Sequence, residues 1–286
     1  MAAVTTRLAR PVTGAGRSVG NALEDMGKQL SFYGRVLWEV LTLNILRLKY
    51  KNVVFSLVSD ITVGAGALIV GAGMVFVIFS MSFFTGANVG LQGYAGLEQI
   101  GAEAFTGLVG SFANTREVTP LIAGVAFAAQ VGAGFTAERG AMRISEEIDA
   151  LEVMSVRPMT YLVGTRVLAA LIAIIPLYLI SLFASFFATK LVTTEFFGLS
   201  PGVYDYYFRL YLPPIDILYS CIKAGVFAVV VALIHCYYGF HASGGPSGVG
   251  VAVGRAIRLS IVAVVLFNLV LSLIFWGGGN TVSLTG

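Results

Sequence analysis

Long apolar runs separated by short polar breaks divide this chain into five stretches that predict membrane-crossing helices. They lie at about 61–84, 118–137, 167–189, 217–240 and 259–276. At ~1.5 Å per residue, each covers much of the ~30 Å hydrocarbon layer of a bilayer. Gly64, Gly66, Gly71 and Gly73 stud the first run. Ala67 and Gly71 form a small-xxx-small pair that lets helix backbones approach closely; a loosely packed helix is the alternative. Residues 85–97 read as a Gly-rich loop, and 98–114, with two acids, as a re-entrant or surface helix. Pro120 falls two residues into the second run, where the first turn of a helix tolerates a missing N–H. Gln130 in the same run needs a partner, so it faces protein or a cavity. Pro176 predicts a kink in the third run. Residues 190–215 form a polar-aromatic loop with Tyr204, Tyr206, Tyr207, Phe208 and Tyr211, an interfacial belt composition. The fourth run has Lys223 near its start, and residues 241–255 read as a turn. The fifth carries Asn268 at mid-depth and Trp276 at its end.

Two amphipathic segments complete the pattern. In 28–51, Tyr33, Leu37, Val40 and Leu41 share one face, widened by Val36, Leu43 and Leu46. Lys28, Arg35, Glu39 and Arg47 lie elsewhere, and Trp38 is an interface anchor. This predicts a helix lying in the membrane surface on anionic headgroups; packing on a partner domain is the alternative. The second segment, Ser145 to Pro158, predicts a helix over about 146–155. Ser145 suits the N-cap, and acids in the first turn suit the positive end of the helix dipole. Ile148, Leu151 and Met154 form a narrow apolar stripe, and Pro158 stops the helix. Its negative face is open to a partner outside the membrane, or simply to water.

Composition agrees with the pattern. Of 286 residues 57% are hydrophobic and 12% charged, which no water-soluble fold can bury. The expected class is an all-α membrane protein, and nothing in it suggests a nucleic-acid surface. Residues 1–27 are expected to be a mobile basic tail, with Arg7, Arg10 and Arg17 giving a fainter likeness to a transit peptide. No n-region followed by an h-region marks a cleavable signal peptide. With the N-terminus inside, fourteen of eighteen basic residues fall on the inner side, leaving Arg116, Lys190, Arg209 and Lys223 outside. The positive-inside rule therefore predicts an inner N-terminus, an outer C-terminus and a cytosolic acidic helix.

Candidate chemistry is sparse. Cys221 and Cys236 lie ~22 Å apart along one helix, too far for a disulfide. His235 and His241 have no carboxylate or thiolate at metal-ligating spacing and read as interfacial. No G-x-x-x-x-G-K-[ST] run is present. An ion-driven transporter places acids or bases at mid-depth, whereas these runs are almost charge-free. That points to an apolar cargo, or none, and to an energy source on another chain. The acidic segment holds four of the fifteen Asp/Glu residues (Glu146, Glu147, Asp149 and Glu152) within seven positions. It is where a separate motor would push.

The run from Arg116 to Pro158 resembles the signature region of MlaE/YrbE permeases, the membrane subunits of ABC transporters that work with MCE-domain proteins. The likeness is carried by Arg116-Glu117-x-x-Pro120, by Glu138-x-Gly140-x-Met142, and by Glu146 or Glu147 through Ile148-Asp149-Ala150-Leu151. Ala141, where the family favours a small hydroxyl residue, and Glu147, where Gln is common, depart from it. The long basic start resembles the YrbE permeases of Mce systems, of B-type. The resemblance implies a domain over 28–286 that pairs with a second permease, a heterodimer. The pair would enclose a lipid cavity below MCE proteins and sit on an ABC ATPase dimer that holds the ATP and Mg. No cofactor is expected on this chain. It further implies that 146–155 is the coupling helix, with Arg143, Glu146, Glu147, Ile148, Asp149, Leu151 and Met154 meeting the ATPase. Arg116, Glu117, Phe76, Phe79, Ser80 and Phe83 are the cavity candidates, with Arg116 and Glu117 paired to each other or to a lipid headgroup. A structural ion pair at a helix start is the alternative for those two.

Overall fold

A computed structural model describes residues 10–41, 50–64 and 73–277. Leu43, Leu46, Arg47, Gly66, Ala67, Gly71 and Arg7, all used above, lie outside these residues. In chain order the helices are α1 (Arg10–Leu41), α2 (Lys51–Thr62), α3 (Gly73–Glu98), α4 (Glu103–Ile144), α5 (Glu147–Val153), α6 (Met159–Phe196), α7 (Pro201–Leu210), α8 (Pro214–Phe240) and α9 (Gly245–Trp276). No strand occurs among the described residues. Five helices, α3, α4, α6, α8 and α9, are long and apolar enough to cross a membrane. The all-α, five-span expectation therefore holds.

The boundaries moved, mostly outward. The first span is not 61–84: α2 stops at Thr62 and the spanning helix is α3, which runs through the Gly-rich stretch to Glu98. Within hydrocarbon a backbone must satisfy its own hydrogen bonds, so glycines that would open a loop in water stay helical. Here they also serve contact. Met74, Ile78, Ser82, Gly86, Gly90 and Tyr94 repeat every four residues as the buried face of α3. A β-carbon at Gly86 would lie 2.4 Å from the Ser185 carbonyl oxygen, so only glycine admits α6 this close. Ser82 and Ser181 hydroxyls meet at 2.5 Å, and Thr189 donates to the Gly86 carbonyl at 2.8 Å.

Residues 98–114 are not a separate surface helix, since α4 is continuous from Glu103 to Ile144. Two π turns, Asn114–Val118 and Ala128–Gly132, widen it. The expected loop at 190–215 contains α7, and the expected turn at 241–255 is confined to residues 241–244, since α9 starts at Gly245. Part of the expected tail, 10–27, belongs to α1. Phe32 and Val36 of α1 are buried, and Phe32 packs edge-on to Tyr237 at the end of α8. The core lies mainly between α6 and α8, through Ala170, Ala173, Leu177, Phe227, Ala228 and Val231. By contrast α9 buries only Ala252, Ala256, Ser260 and Val264 and turns a wide apolar face outward.

Candidate functional site

Two polar assemblies stand out against this apolar bundle, one at each end. The first is built around α5. Ile144 ends α4, and the Ser145 hydroxyl donates back to the Ala141 carbonyl at 3.1 Å and to Glu147 Oε1 at 2.9 Å. Ser145 thus closes the preceding helix and does not cap a backbone N–H of α5. Glu146 takes a left-handed backbone (φ 60°), as does Ser155 (φ 59°), both unusual for side-chain-bearing residues. These two bends bracket a helix of seven residues, shorter than the expected 146–155 and finished well before Pro158.

The expected apolar stripe on this helix is split. Ile148 is buried in the core and Leu151 packs partly against it, while Met154 is 64% exposed. Ile148 therefore anchors the helix to its own bundle and is not a face for a partner. The outward apolar pair is Val153, 87% exposed, and Met154. Arg143 donates to Asp149 at 2.7 Å, a tie within the chain. Glu146, Glu147, Asp149 and Glu152 are all exposed. A cleft of about 460 Å³ lies between this helix and the α8–α9 turn, lined by Arg143, Ile148, Asp149, Glu152, His241 and Ser243.

Below α5 lies an arrangement that sequence reasoning missed. Arg139 is fully buried, and it and Arg166 both pair with Glu138 Oε1, the latter at 2.8 Å. Both guanidiniums also donate to the Leu162 carbonyl, at 3.3 and 3.1 Å. This fork pins the end of α4 to the start of α6, the two elements flanking α5. The local signal was slight, because Arg139 and Arg166 read as ordinary inner-side charges.

The second assembly lies toward the other end of α4. Arg116 donates through Nε to Asp216 at 2.8 Å, and Trp276 donates to the other oxygen of that carboxylate at 2.9 Å. Its guanidinium stacks over Phe112, 4.0 Å from the ring centroid. Glu117 accepts from Asn268 at 2.6 Å and from Ser272 at 2.5 Å. Lys223, fully buried, donates to Ser272 at 2.8 Å and to the Arg116 carbonyl at 2.6 Å, with Glu117 at 3.6 Å. Arg116 and Glu117 are thus not paired with each other; each reaches a different helix. The bond to the Arg116 carbonyl has a covalent cause. Pro120 sits inside α4, not at its start, and has no N–H to offer the carbonyl four residues back. The Lys223 ammonium binds that carbonyl instead. Two cations and two anions balance in this cluster, which joins α4, α8 and α9.

The remaining candidates are not brought to either assembly. Phe76, Phe79, Ser80 and Phe83 lie on α3, where Phe79 stacks on Phe83 and Phe76 is 58% exposed. None of them, nor Arg116 or Glu117, lines the groove that runs along α8 between α1, α6 and α9. His235 is buried and not interfacial: Thr136 Oγ1 lies 2.7 Å from its Nδ1 and Ser260 Oγ 3.1 Å from its Nε2, linking α4, α8 and α9. Gln130 faces outward, as do Gly134, Ala137, Glu138 and Ala141 on the same helix. Cys221 and Cys236 are both free thiols on α8. Among the described residues no group of His, Cys, Asp or Glu is placed to hold a metal ion.

Comparison with known proteins fits this layout. The family described as Permease MlaE matches residues 63–274. A protein of Rickettsia felis named "Probable ABC transporter permease protein" is 34% identical over 73% of this chain and 81% of its own length. The "Intermembrane phospholipid transport system permease protein MlaE" of Haemophilus influenzae is 27% identical over 74% of this chain and 81% of its own. "Protein TRIGALACTOSYLDIACYLGLYCEROL 1, chloroplastic" of Arabidopsis thaliana is 30% identical over 70% of this chain and 57% of its own. With five spans and a family match across most of its length, this chain belongs to the MlaE permease family of ABC transporters, as a multi-pass inner-membrane protein.

Proposed function

We propose that this chain is the permease subunit of an ABC transporter that moves phospholipids or similar apolar molecules across the cell envelope. The observation that carries the reading is α5: a seven-residue acidic helix held rigidly between two spans by a buried isoleucine and two left-handed bends. Such a helix suits a lever. A force on it passes through Ile148 and the Arg139–Glu138–Arg166 fork into α4 and α6 together. Its outer surface offers Val153 and Met154 as an apolar contact, ringed by Glu146, Glu147 and Glu152. We assign it to the cytosolic side, as the seat of an ATPase dimer that carries the ATP and Mg. Basic residues on that partner would set register and specificity more than affinity.

The permease name of the relatives and the outward-facing Gln130 support a second permease subunit. An amide on a face of small residues within a span fits a protein neighbour better than lipid. MCE-domain proteins would dock at the opposite end, near the Arg116–Asp216–Trp276 cluster. The test is affinity purification of the tagged chain in mild detergent, with mass spectrometry of proteins and lipids, beside a Glu147→Arg variant. The reading expects an ATPase subunit, MCE-type proteins and phospholipid with the wild type, and loss of the ATPase alone in the variant. Recovery of the chain without any ATPase would overturn it.

A further inference from the structure

We infer that the groove along α8 is a lipid site: it holds the acyl chain of a membrane glycerolipid, with the ester group of that lipid at the α1 end. The groove has a volume of about 1020 Å³. Its floor runs on α8 from Leu218 to Ile234, its walls include Leu171 of α6 and Ala263 of α9, and α1, which packs through Phe32 on Tyr237 near the C-terminal end of α8, contributes Gln29 and Tyr33. Sixteen residues of helix rise make it about 24 Å long. An extended polymethylene chain fits along this apolar length.

The polarity of the groove is one-ended. Its lining is aliphatic or aromatic apart from the thiol of Cys221 and the α1 end, where Gln29 supplies an amide and Tyr33 a hydroxyl. That hydroxyl is buried and has no hydrogen-bond partner among the described residues. A buried donor without an acceptor is costly, and it marks where an acceptor belongs. Ester carbonyls accept and do not donate, and in a glycerolipid they sit where the chains begin. A chain along α8 with its ester at Tyr33 satisfies both the apolar length and the orphan donor. The inference needs only the membrane and does not depend on transport of any cargo.

The test uses the purified full-length complex in nanodiscs containing a small fraction of phosphatidylcholine with a diazirine on one acyl chain. After illumination, adducts are mapped by peptide mass spectrometry. Val265 and Leu269 of α9, which face outward and do not line the groove, report ordinary lipid contact. Groove adducts between Leu218 and Ile234 should saturate at a lower fraction of probe than adducts at Val265 and Leu269. Val226→Trp, which fills the groove, should abolish the groove adducts and leave the α9 adducts. Tyr33→Phe removes a single hydroxyl without altering the packing shape. It should lower groove adducts about fivefold at limiting probe, equivalent to one hydrogen bond of roughly 1 kcal/mol. Groove adducts that titrate like those at Val265 and are unmoved by Tyr33→Phe would overturn the inference. So would a thiol-directed photocrosslinker on Cys221 that captures a transmembrane peptide of another protein in place of lipid.

Discussion

Lys223→Met is the sharpest probe of how the polar cluster is held together. Lys223 is fully buried, and its ammonium serves both the Arg116 carbonyl and Ser272. Removing it leaves one uncompensated negative charge among Arg116, Asp216 and Glu117, and it orphans the carbonyl that Pro120 cannot serve. Breaking a buried ion pair costs ~3–5 kcal/mol, but Glu117 is 47% exposed, so solvent offsets part of that. An orphaned carbonyl costs ~1–3 kcal/mol. The two effects overlap, and we expect a net loss of about 3 kcal/mol. Pro120→Ala supplies the missing N–H, so Lys223→Met should cost roughly 1–2 kcal/mol less in that background. The assay is reversible unfolding in mixed micelles followed by far-UV circular dichroism, run as a double-mutant cycle. Strict additivity of Pro120→Ala and Lys223→Met would refute the claim that lysine substitutes for the absent N–H.

Other predictions concern packing and the lever. Gly86→Ala, whose β-carbon meets the Ser185 backbone, should cost ~1–3 kcal/mol by thermal unfolding, whereas Gly96→Ala, with open space around it, should be neutral or stabilise by up to ~1 kcal/mol. Ile148→Ala should lose ~2–4 kcal/mol of stability, because it empties a buried site. Val153→Asp should leave stability within ~0.5 kcal/mol and yet remove ATPase recovery in a pull-down, because Val153 is almost fully exposed. His235→Phe removes the ring contacts to the Thr136 and Ser260 hydroxyls, which keep bonds to the His235 and Ile257 carbonyls, and should cost ~1 kcal/mol in the same unfolding assay.

What could be read from sequence follows the range of the forces involved. Five spans were legible because apolar length is a local property. Residues 85–97 were misread because the same glycines mean a loop in water and close packing in lipid, and the partner that decides, Ser185 to Thr189 of α6, lies a hundred residues away. The acidic helix was visible in its charge pattern. The role of Ile148 was not, since a helical stripe does not say which of its members turns inward. Arg116 and Glu117 drew attention as adjacent charges, but Asp216, Lys223, Asn268 and Trp276 join them only through tertiary structure. Pro120 looked harmless while α4 was thought to begin beside it. Because α4 begins at Glu103, Pro120 lies inside the helix and leaves the Arg116 carbonyl to Lys223.

The central claim is that a partner's ATP hydrolysis drives lipid movement through α5. The most direct measurement is transfer of a fluorescent phospholipid in proteoliposomes that contain the purified complex, with and without ATP. Wild-type protein is compared with Val153→Asp and Glu147→Arg. The account predicts transfer that requires ATP and falls to background in both variants, while their unfolding curves match the wild type. Transfer that proceeds without nucleotide, follows an imposed ion gradient and is indifferent to both substitutions would contradict it.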